Sequence, residues 1–76
     1  MHEFEVFGDW DGGRVFVREV YSKNEVEGRG IVRLDDAAGK TFETRDELIA
    51  YIAQSTGLPL ESIDVVGWLG GPLLDQ

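Results

Sequence analysis

The sequence predicts an α+β fold: a small two-layer domain in which an antiparallel β-meander of three to four strands carries one α-helix on one face, with a short C-terminal strand completing the order β-β-β-(β)-α-β. Three observations predict it. Apolar residues alternate with period two over roughly the first two thirds of the chain. One segment, Thr44 to Gly57, switches to helical spacing and carries both a start and a stop signal. A length of 76 residues leaves room for one hydrophobic core. Residues 1–76 are therefore read as a single domain, with 69–76 as a short C-terminal tail.

In the first strand Phe4 and Val6 point toward the core, and Glu3, Glu5 and Phe7 point away. Gly8-Asp9-Trp10-Asp11-Gly12-Gly13 then breaks the alternation, and its Asp-Gly and Gly-Gly pairs are strong hairpin signals. Arg14 to Tyr21 reads as the second strand, with Val15, Val17 and Tyr21 on one face and Arg14, Phe16, Arg18 and Val20 on the other. Ser22 to Gly28 is a polar connection. Alternation resumes from Arg29 to Leu34, which predicts a third strand with Val32 and Leu34 facing inward. A turn at Asp35–Gly39 leads to a short extended piece, Lys40 to Glu43.

The helix has the clearest local signals. Thr44-Arg45-Asp46-Glu47 matches a capping box, in which Thr44 accepts an early helix N–H and Glu47 reaches back to the Thr44 N–H. Leu48, Ile49, Ile52 and Ala53 recur at helical spacing. Gly57 suits the left-handed position that ends a helix, and Pro59 prevents its continuation. Ser62 to Trp68 is rich in β-branched residues and reads as the last strand, stopped by Gly70-Gly71-Pro72.

Charge narrows the function. All seven basic residues lie between Arg14 and Arg45, both flanks are purely acidic, and the net charge is −8. Such a balance favours a basic partner surface and disfavours direct contact with a phosphate backbone. Cysteine is absent, which excludes disulfides, thiolate zinc sites and thiol nucleophiles and suits a cytoplasmic setting. The start of the chain lacks the basic and apolar regions of a signal peptide, and no apolar run is long enough to span a bilayer. His2 is the single histidine, and the serines have no base and orienting acid nearby in sequence, so no enzyme and no cofactor is expected. Asp9-x-Asp11-x-Gly13 echoes the first half of a calcium loop but lacks its later ligands, so no metal is expected.

The candidate partner-binding residues come from the turns. In an up-and-down meander the first and third turns emerge at one end of the sheet, and a returning helix brings Gly57–Glu61 back to it. That reasoning gathers Asp9, Trp10, Asp11, Asp35, Asp36 and Glu61 into an acidic rim around an exposed tryptophan. Compact, cysteine-free, acidic proteins of this kind resemble the small inhibitors carried by phages and other mobile elements, including anti-CRISPR proteins and DNA mimics. The resemblance implies a non-catalytic viral protein whose carboxylates occlude a basic surface, such as that of a nucleic-acid-binding complex. The competing expectation is a homodimeric structural or accessory subunit that uses the outer sheet face, with Phe7, Phe16 and Ile31, or an edge strand.

Overall fold

A computed structural model describes residues 1–69; of the tail expected over 69–76, Leu69 instead ends the last strand, and 70–76 lie outside the described residues. The elements are β1 (His2–Asp11), β2 (Arg14–Ser22), β3 (Thr41–Phe42), α1 (Arg45–Thr56) and β4 (Ile63–Leu69), with 3-10 turns at Asp35–Ala37 and Leu60–Ser62. The strands form one curled, mixed sheet in the order β3-β2-β1-β4. This is the α+β class expected, with one helix against one sheet. β2 runs antiparallel to β1 and β3, whereas β4 runs parallel to β1. The helix thus starts behind one edge strand and returns the chain to the other.

The β1–β2 hairpin closes on Gly12-Gly13, between the paired Asp11 and Arg14. Gly12 has φ +66°, the left-handed backbone that the first central position of a tight hairpin turn demands. Farther along, the register slips: Phe7 opposes Glu19 and Gly8 opposes Val17, so Arg18 is one residue too many on β2. Such a bulge sharpens the local bend and twist. Gly8 is what lets the strands meet there, because a β-carbon on it would lie 2.2 Å from the Phe16 carbonyl oxygen.

The bulge also corrects the expected faces of β2. Strict alternation places Tyr21 inside and Val20 outside; in the structure Val20 is buried opposite Val6, and Tyr21 stands on the outer face opposite Glu5. Inserting one residue reverses every side chain beyond it.

The expected third strand, Arg29–Leu34, does not form. Gly28 and Gly30 both adopt positive φ, and the chain turns tightly on Val26 N–H to Gly30 C=O and Arg29 N–H to Val26 C=O bonds, each 2.8 Å. Only Arg33 bridges to β2, at Tyr21. The apolar spacing is nevertheless used, since Val32 and Leu34 pack against the core from an irregular segment. Val26 is inserted into that core, and the buried Ser22 is satisfied by the Val32 N–H at 2.8 Å.

The core lies between the helix and the concave face of the sheet. β1 supplies Phe4 and Val6, and β2 supplies Val15, Val17 and Val20; Leu48 and Ile52 come from α1, Ile63 and Val65 from β4. Each fully buried side chain of this kind contributes about 1.5–3 kcal/mol relative to exposure. Thr44 caps α1 as expected, accepting the Glu47 N–H at 3.1 Å. The return bond reaches one residue farther than expected, because Glu47 Oε1 accepts the Glu43 N–H at 3.0 Å rather than that of Thr44. Gly57, at φ +78°, ends the helix and donates its N–H to Ala53 C=O at 2.8 Å.

Candidate protein-interaction surface

The outer, helix-free face of the sheet carries most of the ion pairs. Arg18 binds Asp9 at 3.0 Å, Arg14 approaches Glu43 at 3.5 Å, and Lys23 approaches Glu3 at 3.5 Å. Arg33 bridges Glu19 and, at 3.6 Å, Asp35; Arg45 reaches from the first turn of α1 to Asp64 on β4 at 2.7 Å. Apart from the Glu19 carboxylate, which is largely covered, these side chains are solvent-exposed, and exposed pairs contribute about 0–1 kcal/mol each. Their effect on the surface is larger than their effect on stability. They occupy Arg14, Arg18, Lys23, Arg33 and Arg45, while Glu5, Asp11, Glu25, Glu27, Asp36, Asp46, Glu47 and Glu61 form no ion pair among the described residues.

Two aromatic features interrupt this charge. Phe7 is buried although it belongs to the outer face, and it stacks on Tyr21 with ring centroids 5.6 Å apart. The Tyr21 hydroxyl has its pKa raised, first by burial and then by the Glu5 carboxylate beside it. Phe16 is 41% exposed and lies beneath the Arg18 guanidinium at 6.0 Å. Ile31, at 55%, is freer still.

The structure brings the predicted rim residues together only in part. Asp9 and Asp11 share one side of β1 and line a groove of about 220 Å³ with Arg14, Phe16 and Thr41. Asp35 and Asp36 line a separate groove of about 320 Å³ against Tyr51 and Ser55 of α1. The two pairs are not gathered at one end of a sheet, because the segment after Leu34 runs along β2. Its bonds from Leu34 N–H to Val20 C=O and from Gly39 N–H to Val17 C=O place Asp35 and Asp36 beside the bulge. Glu61 is exposed in the 3-10 turn before β4, which pairs with the beginning of β1 rather than its Asp9–Asp11 end, and it belongs to neither groove. Trp10 is half-buried and packed against the core, not an exposed anchor. Its buried indole N–H has no acceptor among the described residues.

Sequence reasoning passed over the edge formed by β4. Gly67 lies there under the Trp10 indole, and a β-carbon on it would come within 2.8 Å of the ring. The available signal was an isolated glycine inside a strand pattern, which marks a close approach. Asp64 was equally silent. Its carboxylate accepts the Val65 N–H at 2.9 Å as well as binding Arg45.

Among the described residues no three His, Asp or Glu side chains converge as a metal site would require, and no helix is long and apolar enough to cross a membrane. No family model matches the chain, and neither a curated protein nor a solved structure matches it.

Proposed function

We propose that this chain is a small, acidic, non-catalytic protein-binding module that occludes a basic surface of its partner, in the manner of phage or mobile-element inhibitors of the anti-CRISPR or DNA-mimic kind. One observation carries the reading: internal ion pairs use up most of the cations, so the charge left outside them is almost entirely carboxylate. Of the described cations only Arg29 and Lys40 stand outside these pairs, and Lys40 lies over the Tyr51 ring at 5.9 Å. A surface of this kind attracts cationic partners over a Debye length and makes binding sensitive to salt. Asp9, Asp11, Asp35 and Asp36 line two of the grooves, Asp11 and Asp36 outside the ion pairs and Asp9 and Asp35 at their solvent-facing ends, and these four are the first candidates for partner contact.

The test is affinity purification with partner identification at low and high salt, repeated with all four of these aspartates changed to lysine. The reading expects a basic or nucleic-acid-binding partner that salt releases and that the quadruple variant fails to retain. Capture indifferent both to salt and to the charge reversal, from a protein that light scattering shows to be a stable dimer, sinks it in favour of the homodimeric accessory subunit.

A further inference from the structure

β4 is an edge strand, and its two halves are not equivalent. Lys23 N–H bonds to Glu3 C=O at 2.8 Å, so Glu3 turns its carbonyl toward the β2 side and the alternate residues Phe4 and Val6 turn theirs toward β4. In a parallel ladder paired as Phe4 with Val65 and Val6 with Gly67, the β4 residues bonded to β1 are then Asp64, Val66 and Trp68. Ile63, Val65, Gly67 and Leu69 turn their backbone groups outward. The first two of these N–H groups are satisfied locally: Ile63 N–H bonds to Leu60 C=O, and Val65 N–H to the Asp64 carboxylate. Among the described residues nothing covers the edge beyond. Residues 65–69 carry no charge, proline or bulge that would blunt it. Behind Gly67, on the core face, lies the Trp10 indole, whose buried N–H has no acceptor among the described residues and which reports on this edge.

We infer that the Gly67–Leu69 half of β4 accepts an extended segment of the partner by strand addition, its carbonyls receiving the outward N–H groups. The inference rests on the acidic-module reading and names how the partner is held. Charge selects the occupant. On the outer face beside this edge stand Glu3 (paired with Lys23), Asp64 (paired with Arg45) and Glu5, which is in no ion pair among the described residues and is the carboxylate left to receive a cation. A strand with Lys or Arg at alternate positions places those side chains on the acidic face and its intervening residues on the other. A second copy of this chain brings another unpaired Glu5 to the same edge and is the poorer match.

The probe is the peptide acetyl-Lys-Val-Lys-Val-Lys-Val-Lys-amide, compared with its analogue N-methylated at every residue, which keeps the charge but cannot pair as a strand. Two-dimensional NMR of the intact protein follows the Gly67 amide and the Trp10 indole N–H. The expected result is that the first peptide shifts both signals and slows their exchange, while the methylated analogue binds at least about tenfold more weakly. Equal binding by the two peptides overturns strand addition and leaves the acidic-module reading standing. Binding by neither overturns strand addition, while the acidic-module reading stands or falls on the salt dependence and the charge-reversal capture. Gly67 shifts that depend on protein concentration alone assign the edge to a second copy and overturn the inference.

Discussion

The Trp10 indole rests on the bare backbone of Gly67, so close that a β-carbon there would meet the ring at 2.8 Å. The contact joins the far end of β1 to the edge strand. Gly67→Ala forces the ring aside and disturbs its packing on the core, at a cost of about 1–2 kcal/mol. For a domain of this size the melting temperature falls by roughly 4–8 °C per kcal/mol. Thermal unfolding measures the cost, and the indole N–H resonance of Trp10 reports the displacement.

Gly8 is less forgiving, because the atom its β-carbon would strike is the Phe16 carbonyl oxygen, at 2.2 Å, and backbone cannot swing away as a side chain can. Gly8→Ala therefore costs about 3 kcal/mol or more, the upper end of overpacking effects. Chemical denaturation should show the larger loss at Gly8 than at Gly67. The reverse order contradicts the bulge geometry.

What could be read in the sequence was what is decided locally. The cap at Thr44 and the stop at Gly57 each depend on a few adjacent residues and appear where expected, whereas the hairpin turn falls only on the last two residues of the expected Gly8–Gly13 break, β1 running on through Asp11 to pair with Arg14. The bulge at Arg18 was legible only as two polar residues in a row, Arg18-Glu19, between Val17 and Val20; strict alternation overrode that signal. The third strand failed because glycine at positions 28 and 30 outweighed an apolar pattern that suits a packed loop equally well. Nothing within Ile63–Leu69 declares whether it runs parallel or antiparallel to β1. The path of α1 decides that, and the misplacement of Asp35, Asp36 and Glu61 followed from not knowing how the chain runs beside β2 and where β4 joins β1.

Thr44 gives the most local of the stability predictions. Its hydroxyl oxygen takes the Glu47 N–H at 3.1 Å, an otherwise orphaned donor of the first helical turn. Thr44→Ala costs about 1 kcal/mol and Thr44→Ser only a few tenths, read from equilibrium denaturation. Equal losses from both would mean that the methyl group, not the cap, matters.

Tyr21 supplies a pH dependence. Burial, and secondarily Glu5, raise its pKa in the folded protein above the unfolded value near 10. The native state therefore holds the phenolic proton more tightly than the unfolded state does. The associated stability is intact below the unfolded pKa and is lost as pH rises through the folded one. Glu5→Gln removes the coulombic part and brings the Tyr21 titration back toward the ordinary range while leaving the burial part in place. NMR titration of the Tyr21 ring in a Tyr51→Phe background measures it, and a titration unmoved by Glu5→Gln would refute the coulombic contribution.

Asp64 separates the protection of the β4 edge from its charge. The carboxylate both accepts the Val65 N–H at 2.9 Å and pairs with Arg45 at 2.7 Å. Asp64→Asn keeps an oxygen that can cover the Val65 N–H but gives up the full charge of the pair; Asp64→Ala gives up both. The exposed ion pair is worth about 0–1 kcal/mol, so neither variant unfolds the protein. A hydrogen bond worth about 0.5–1.5 kcal/mol predicts Val65 amide exchange faster by about twofold to tenfold in Asp64→Ala, with little change in Asp64→Asn. The alanine variant also lengthens the open run of outward N–H groups from Gly67 and Leu69 to include Val65, and a longer uncharged edge is a better template for another strand. Light scattering over a concentration series then finds more self-association in Asp64→Ala than in Asp64→Asn. If the two variants associate equally, charge alone guards this edge and the backbone bond to Val65 does not.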